Sequence, residues 1–239
     1  MKIKQTLKKS QTLKGIKKDL KFANHLFYLI KRKHLINKYF AENKIKKLQL
    51  GSHISTLNGW LCSDLIPETK NCIYLDVTKK FPFDDKSFDY VYSEHLIEHI
   101  SWLDGLKMLS ESFRVLKSGG KIRIATPDLK VLIDLYNNPN NFLNEKYIKW
   151  ITEKFLNGIE IYLPSLVINN AFRNWRHQFL YDRDLLTIAF QKVGFVDIKT
   201  YNYGHSDDET LKGIERHGIN IGNAEMANFE TLILEATRP

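Results

Sequence analysis

Five short apolar runs between residues 47 and 128 each end in a small or acidic residue that could contact a ligand. The runs are K-L-Q-L-G-S (47–52), G-W-L-C-S-D-L (59–65), C-I-Y-L-D-V-T (72–78), F-D-Y-V-Y-S-E-H (88–95) and G-G-K-I-R-I-A-T-P-D (119–128). A carboxylate such as Asp64 can accept hydrogen bonds from ribose hydroxyls, and a glycine such as Gly51 lets a ligand approach the backbone closely. Taken alone, each of these residues is also consistent with ordinary turn chemistry.

The string H-L-I-E-H, residues 95–99, places two histidines four residues apart with Glu98 between them. In zinc hydrolases two histidines at this spacing bind the metal and the glutamate acts as a base. That chemistry requires the string to lie within a long helix, with a further acidic ligand on a later helix. Here the string begins directly after the predicted strand F-D-Y-V-Y-S, and this context argues against the zinc interpretation.

The elements that must position these residues are strands and helices in alternation. Short runs rich in β-branched and aromatic residues predict buried strands, and the periodic stretch 103–116 predicts a helix between two of them. The result is a parallel α/β sheet, in which ligands bind beyond the carboxyl ends of the strands. Only about eight residues, 53–60, connect the first two runs, whereas a parallel crossover normally needs about a dozen. Either the first helix is reduced to a turn or the second run pairs differently.

The C-terminal half is predicted to continue with helices and to close with two strands. The expected elements are helices at 129–136 and 141–156, a helix capped by Asp182 and ending at Gly194, a strand at 195–202, a helix at 207–217 and a last strand at 229–236.

The strand-end residues, in their order, resemble those of a class I S-adenosylmethionine-dependent methyltransferase. They are most similar to a bacterial subgroup with the strand signatures L-G-S-G, G-W-x-x-x-D-L, D-x-T-x-x-x-P-F and F-D-x-V-Y-x-x-H-x-x-E-H, a subgroup that often accompanies cell-surface polysaccharide genes. The resemblance is strong over 47–127 and weak over 177–236. It implies a Rossmann-like, mostly parallel sheet with an antiparallel C-terminal hairpin and a shortened first crossover. The N-terminal helical extension is predicted separately, by the spacing of three and four residues between apolar positions such as Leu13, Ile16 and Leu20.

The resemblance also implies S-adenosyl-L-methionine as the cofactor and a set of residues that bind it. These cofactor-binding residues are Gly51, Ser52, Asp64, Asp76, Val77 and Ser93, with Asp64 on the ribose and the segment around Asp76 on the adenine. One position departs from the subgroup: His53 stands where a second glycine is usual. A side chain at this position is expected to narrow the donor loop.

A second cluster of residues is expected on the acceptor side. Its members are Arg173, Trp175, Arg176, Tyr181 and His217. Interleaved aromatic and basic side chains suit sugar rings that carry phosphate or carboxylate, through stacking and bidentate pairing. An arginine-rich surface beside a core tryptophan explains the same residues equally well. His95 or His177 is the expected catalytic base, because a histidine titrates near neutral pH. No metal ion is expected, and Cys62 and Cys72 are predicted to be buried, reduced thiols.

Charge is distributed unevenly along the 239 residues. Residues 1–47 hold fourteen lysines and Arg32 against Asp19 and Glu42, which gives this segment a net charge of +13. Since the whole chain carries +9, the remaining 192 residues have a net charge of −4. A body without excess positive charge argues against a nucleic-acid substrate. The division predicts a basic amphipathic helical extension over 1–46 and a methyltransferase domain over 47–239, with helical acceptor-side insertions at 128–182 and 203–225.

The extension has two interpretations. Its apolar face, which includes Leu13, Ile16 and Leu20, either packs on the body or lies on an anionic membrane surface, with contact through residues 1–40. No apolar run is as long as a membrane span. The expected location is therefore the cytoplasm, with contact to the inner face of the membrane as the alternative.

These observations predict O-methylation of a glycan or nucleotide sugar used in cell-envelope polysaccharide synthesis. Three alternatives stay open: an acceptor that is a lipid or small metabolite, a degenerate methyltransferase-like module without activity, and a zinc hydrolase that rests on H-L-I-E-H alone. The sequence identifies neither the acceptor atom nor the oligomeric state.

Overall fold

A computed structural model describes residues 28–239, and all structural statements below refer to them. The predicted apolar face at Leu13, Ile16 and Leu20 lies outside this range, so the membrane contact of the extension stays a prediction. Residues 28–42 are helical (α1). The hydroxyl of Tyr39 in this helix donates to the carbonyl of Lys47 at 3.0 Å and accepts from its amide at 2.7 Å, which fixes the helix to the start of the first strand.

Seven strands form one sheet. They are β1 (Lys47–Leu50), β2 (Leu61–Asp64), β3 (Ile73–Tyr74), β4 (Phe88–Glu94), β5 (Leu116–Pro127), β6 (Val196–Tyr201) and β7 (Thr231–Thr237). Their spatial order is β3-β2-β1-β4-β5-β7-β6. The first five are parallel, whereas β7 lies antiparallel between β5 and β6. The predicted Rossmann-like sheet with an antiparallel C-terminal pair is confirmed.

The first crossover is shortened, as predicted. Residues 51–60 contain no helix, yet β2 pairs in parallel with β1. The buried side chain of Gln49 replaces the missing helix, because its amide nitrogen donates to the carbonyl of Ser55 at 2.8 Å and its oxygen accepts from the amide of Leu57 at 2.9 Å. One strand residue therefore satisfies the backbone of the loop beside it.

Seven further helices follow. They are α2 (Trp102–Val115), α3 (Leu129–Asn137), α4 (Phe142–Phe155), α5 (Pro164–Arg173), α6 (Arg183–Val193), α7 (His217–Asn220) and α8 (Ala224–Glu230), and a single 3-10 turn spans Ile97–His99. The sequence located α2, α3, α4 and α6 correctly. Asp182 caps the amide of Leu185, and Gly194 ends α6 in the left-handed conformation at φ +107°.

The predicted helix at 207–217 is wrong. These residues form successive turns, and only the short α7 follows them. The carboxylate of Asp208 accepts hydrogen bonds from the amide of Thr210 at 2.9 Å, the hydroxyl of Tyr90 at 3.1 Å and the ammonium of Lys121 at 2.8 Å. Because Asp208 is held on the sheet, the segment lies against the sheet as turns instead of coiling into a helix.

Two apolar cores follow from this arrangement. The larger one lies on the sheet and includes the fully buried Leu48, Val91 and Ile122. The smaller one joins α3, α4, α5 and α8 through residues such as Leu135 and Ile151. It builds a helical layer near the carboxyl ends of β4 and β5, where the cavity described below is found. None of the described helices is long and apolar enough to cross a membrane.

Candidate functional site

The loop after β1 has the backbone that a close ligand approach requires. Gly51 adopts φ +64°, a conformation that favours glycine. A Cβ atom added there would lie 2.9 Å from the methyl carbons of Leu96. Nothing larger than glycine therefore fits this position without displacing the side chain of Leu96.

Two carboxylates extend this loop along the sheet edge. Each oxygen of Asp64 accepts one backbone amide at 2.9 Å, from His53 and from Ile66. Asp76 uses only Oδ1, which accepts from the amide and the hydroxyl of Thr78. A carboxylate offers about four acceptor sites, so both side chains can still accept hydroxyl or amino groups of a ligand. Glycine loop and carboxylates together fit the ribose and adenine of a nucleoside.

His53 follows Gly51 and Ser52 in the loop after β1. Its backbone adopts φ +45°, which is strained for a residue with a side chain. The side chain is 67% exposed, and Nε2 lies 3.3 Å from a carboxylate oxygen of Glu68. Because the imidazole extends toward solvent and Glu68, the structure gives no sign of the narrowing expected from the sequence.

The other predicted donor contacts are buried under the loop. Ser52 is 2% exposed, with its hydroxyl 3.5 Å from the sulfur of Cys72, and Val77 belongs to the main core. Ser93 is fully buried at the end of β4, and its hydroxyl has no hydrogen-bond partner among residues 28–239. Burial raises the pKa of Cys72 to about 11 and of Cys62 to about 12, as expected for unreactive thiols.

A cavity of about 320 Å³ lies at the ends of β4 and β5. Its walls are His95, Glu98, His99, Pro127, Trp150, Ile151, Phe155, Trp175, His177, His217, Ile221 and Glu230. Most of these residues are aromatic or aliphatic, and the polar ones are histidines and glutamates. Among the described residues, no lysine or arginine lines the cavity. Such an apolar space with a few polar groups is typical of small-molecule sites.

Glu98 lies at the centre of the polar wall. It is fully buried, Oε2 accepts the hydroxyl of Thr126 at 3.1 Å, and Oε1 lies 3.3 Å from Nδ1 of His95. Burial alone would lower the pKa of His95, but the adjacent carboxylate of Glu98 outweighs it and raises that pKa above its ordinary value. Burial would raise the pKa of Glu98, and His95 lowers it by more. Glu98 therefore increases the affinity of His95 for a proton.

His217 and Glu230 extend the polar wall next to His95. Nε2 of His217 lies 2.9 Å from Oε1 of Glu230, whose other oxygen accepts the hydroxyl of Tyr147. The imidazole of His217 stacks on that of His95 at 3.6 Å between ring centroids. The carboxylate of Glu94, at the end of β4, accepts the amides of Arg216 and His217 at 2.9 Å and so fixes this segment to the sheet.

A series of aromatic rings forms the apolar wall. Trp150 packs edge-to-face on Phe155 at 5.4 Å, Phe155 packs in the same way on Trp175 at 5.2 Å, and Trp175 lies 5.7 Å from the ring of His177. Trp175 and Arg176 both adopt positive φ, +55° and +64°. The amide of His177 donates to the carbonyl of Asn174 at 3.3 Å, so these two residues are the central positions of a tight turn, where positive φ at both is required by the primed turn type.

The structure brings some predicted acceptor residues together and separates others. His95, Trp175, His177 and His217 line the cavity, whereas Arg173 and Arg176 are exposed and do not. Tyr181 requires a correction: its side chain is fully buried in the main core, where it packs on Trp102 and Phe179 and presents no face to the cavity.

Sequence reasoning missed Trp150, Phe155, Ile221 and Glu230. The two aromatic residues lie in a helix that the sequence predicted, but periodicity does not tell which face of a helix meets a cavity. Glu230 belongs to no motif in the sequence that indicates a site. It is the last residue of a short helix directly before β7, and only the fold brings it to the cavity.

Comparison with known proteins gives a match in the first half of the chain. Residues 58–124 match the family described as "Methyltransferase domain". Over 128 residues the chain is 33% identical to the ubiquinone/menaquinone biosynthesis C-methyltransferase of Geobacter sp. (strain M21). The aligned region covers 52% of this chain and 48% of that protein. It is 28% identical over 122 residues to phosphoethanolamine N-methyltransferase 2 of Caenorhabditis elegans, covering 51% and 20%.

Among solved structures, a SAM-dependent methyltransferase from Archaeoglobus fulgidus superposes with a TM-score of 0.46 at 16% identity, covering 89% of this chain and 93% of that one. The matches to the two curated relatives span about half of the first and a fifth of the second.

Proposed function

We propose that this chain, which contains a class I S-adenosylmethionine-dependent methyltransferase domain, transfers a methyl group to a hydroxyl of a small acceptor held in the cavity at the ends of β4 and β5. The observation that carries the proposal is the position of His95. This residue directly follows β4, faces the cavity and is paired with the buried Glu98. The proton-accepting group and the acceptor space therefore lie together beside the donor loop.

The donor side uses the residues at the ends of the first four strands. Gly51 gives the ligand access to the backbone, Asp64 would accept the ribose hydroxyls, Asp76 would accept a polar group of the adenine, and Ser93 lies beneath the loop. When bound, S-adenosyl-L-methionine supplies a methyl group on a sulfonium, which leaves as the neutral thioether. The protein contributes mainly alignment of the methyl carbon with the acceptor oxygen.

The acceptor hydroxyl must lose its proton as its oxygen forms the new bond to carbon. In its neutral form His95 would take this proton on Nε2, because Nδ1 faces the carboxylate of Glu98 at 3.3 Å. Nε2 lies 3.4 Å from the hydroxyl oxygen of Thr231. Glu98 holds the ring in place and stabilises the imidazolium that forms. His95 adopts φ +46°, a strained backbone of the kind that is retained at functional sites.

For the acceptor we propose the sugar ring of a glycan or nucleotide sugar from cell-envelope synthesis. The support is the wall of Trp150, Phe155 and Trp175, on which the apolar face of a pyranose can stack. Phosphate groups of such an acceptor would lie outside the cavity, near the exposed Arg173 and Arg176. The two curated relatives are named as C- and N-methyltransferases, so a test must include carbon and nitrogen acceptors.

The first test is donor binding by calorimetry. We expect wild-type protein to bind S-adenosyl-L-methionine and Asp64→Ala to bind it more weakly by about 1–3 kcal/mol, the contribution of a charge-assisted hydrogen-bond pair. Asp84→Ala, an exposed carboxylate on the same half of the molecule, serves as the control. Wild-type affinity in Asp64→Ala would refute the ribose assignment, and absence of binding by the wild-type chain would favour the non-catalytic alternative.

The second test follows the release of S-adenosyl-homocysteine with panels of sugar nucleotides, monosaccharides, phenols and amines. With an acceptor that reacts, His95→Ala is expected to lower kcat by about 100-fold or more, the usual contribution of general base catalysis, without changing donor affinity. His34→Ala, which removes an exposed histidine of α1, should leave both quantities unchanged. Full activity in His95→Ala would refute its role as base.

A further inference from the structure

We propose that Glu98, His99 and His177 form a binding site for a divalent transition-metal ion in the wall of the cavity, and that this ion holds the oxygen of the acceptor. The role toward the acceptor rests on the proposed function, whereas the site itself rests on the three side chains alone. This site replaces two sequence expectations: that the chain binds no metal, and that His177 is a candidate base.

The three side chains converge. One ring nitrogen of each histidine and one carboxylate oxygen of Glu98 all lie within 4.8 Å of one another. The rings of His99 and His177 are 4.8 Å apart and nearly perpendicular, at 79°. An imidazole lone pair lies in the plane of its ring, so perpendicular rings can direct their lone pairs to one point. Ligands at about 2.0–2.2 Å from an ion are separated by roughly 3–3.5 Å, and side-chain shifts of about 1 Å would close the site.

The protonation of His177 suits a ligand. Its Nδ1 lies 2.8 Å from the carbonyl of Ala171, which can only accept a hydrogen bond. The proton is therefore on Nδ1, and Nε2 carries a free lone pair. Metal-binding histidines almost always donate their second nitrogen in this way, to a carbonyl or a carboxylate.

Glu98 supplies an independent indication of a bound cation. Its side chain is fully buried, and Oε1 makes no hydrogen bond within the described residues. Nδ1 of His95 lies 3.3 Å away without the geometry of a hydrogen bond, and a buried carboxylate oxygen without a donor is costly. Oε2 accepts only the hydroxyl of Thr126. The carboxylate thus has free lone pairs for an ion while it keeps its contact with His95.

Backbone hydrogen bonds hold the two segments of the site together. The carbonyl of Glu98 accepts the amides of Gln178 at 2.7 Å and Phe179 at 3.2 Å. The side-chain amide of Gln178 donates to the carbonyl of His99 at 2.7 Å. Residues 98–99 and 177–179 are therefore joined at the backbone, which places the three ligands in advance of any ion.

A second group of potential ligands in the cavity, His95, His217 and Glu230, has the wrong geometry. The two rings are stacked nearly parallel, at 16° and 3.6 Å, so their lone pairs run side by side and do not converge. Nε2 of His217 is already bonded to Glu230. The zinc-hydrolase interpretation of H-L-I-E-H fails for a related reason: only Ile97–His99 form a 3-10 turn, and no helix brings His95 and His99 to one ion.

Two imidazoles and one carboxylate suit ions such as Zn²⁺, Fe²⁺ or Mn²⁺ and leave positions open toward the cavity. An acceptor hydroxyl bound at an open position becomes more acidic. When its O–H bond breaks, the electron pair stays on the oxygen at the ion and the proton goes to His95. In this scheme His95 is the base, and His177 is a ligand of the ion.

The site is tested by metal binding to the full-length protein, independently of methyl transfer. After treatment with a chelator, calorimetric titration with Zn²⁺ is expected to show one site per chain, and Co²⁺ is expected to give visible absorption bands of a site with nitrogen ligands. His99→Ala, His177→Ala and Glu98→Gln should each weaken this site by about 100-fold or more. His205→Ala, at an exposed histidine, is the matched control and should leave it unchanged.

Binding of S-adenosyl-L-methionine to the same variants separates this inference from the proposed function. We expect donor affinity to stay at the wild-type value in all of them, because the ligands lie outside the donor loop. Thermal melts check folding, and His177→Gln replaces any alanine variant that does not fold. Absence of a stoichiometric Zn²⁺ site, or equal affinity in His177→Gln and in wild type, would overturn the metal site while leaving the methyltransferase assignment intact.

Discussion

The donor half and the acceptor half of the candidate site are held by contacts of very different range along the chain. Around the donor loop, Asp64 binds the amides of residues only 11 and 2 positions away, and Asp76 binds Thr78 two positions away. In the acceptor half the corresponding separations are 79 residues for Gln178 with His99 and 122 for Arg216 with Glu94.

The difference has a consequence for both stability and recognition. A half that is built from neighbouring residues keeps its shape as long as the local backbone is intact. A half that is built from distant segments depends on the few side chains that join those segments. Changes in the acceptor half are therefore expected to act through the global fold, and changes in the donor loop through local strain.

The largest effect is expected at Arg123, which joins the 203–217 segment to the sheet. This fully buried side chain donates from Nε to Glu215 at 2.6 Å, pairs with Glu235 and donates to the carbonyl of His205 at 2.9 Å. Arg123→Met leaves two carboxylates without their cation. We expect the free energy of unfolding to fall by about 3–5 kcal/mol, measured by urea denaturation.

The control for this substitution is Arg183→Met. Arg183 pairs with Asp184 on the surface, where the two side chains are 66% and 80% exposed. Such pairs contribute about 1 kcal/mol or less. A loss below about 1 kcal/mol in Arg123→Met would mean that the apolar packing of Leu211 and Ile214, and not the buried ion pairs, holds the segment.

The same contrast in range explains what the sequence predicts. Gly51, Asp64 and Asp76 follow strands whose pattern is visible, and the parallel sheet places all strand ends at one edge. The predicted positions of α3, α4 and α6 are correct because apolar periodicity and capping residues are local. Trp150 and Glu230 meet in the cavity only through tertiary packing, which no short pattern encodes. The helix expected at 207–217 failed because Asp208 binds partners on the distant sheet.

An intermediate effect is expected from Gly51→Ala, which tests whether the donor loop is limited by local strain. The new Cβ must accept φ +64° and lies 2.9–3.1 Å from three carbons of Leu96. We expect a loss of about 3 kcal/mol in the free energy of unfolding, from left-handed strain and overpacking together.

Gly213→Ala is the matched control, since Gly213 has φ +66° and no atom within 4 Å of the added Cβ. It isolates the strain, expected at about 1–2 kcal/mol. Equal losses in both variants would show that Leu96 moves away freely.

The smallest effect is expected from His53→Gly, at a non-glycine residue of the donor loop that has positive φ. The amide of residue 53 donates to Asp64 at 2.9 Å, and glycine keeps that bond. Glycine also removes the strain of φ +45°. The imidazole loses only an exposed contact with Glu68 at 3.3 Å, and such contacts contribute little. We therefore expect a gain of at most about 1 kcal/mol in the free energy of unfolding and a donor affinity that is equal to or slightly above wild type.

Denaturation and calorimetry on the same preparation measure both. A large loss of donor affinity would identify the imidazole as a ligand contact, and the donor half would then depend on a side chain in a way that its local backbone geometry does not predict.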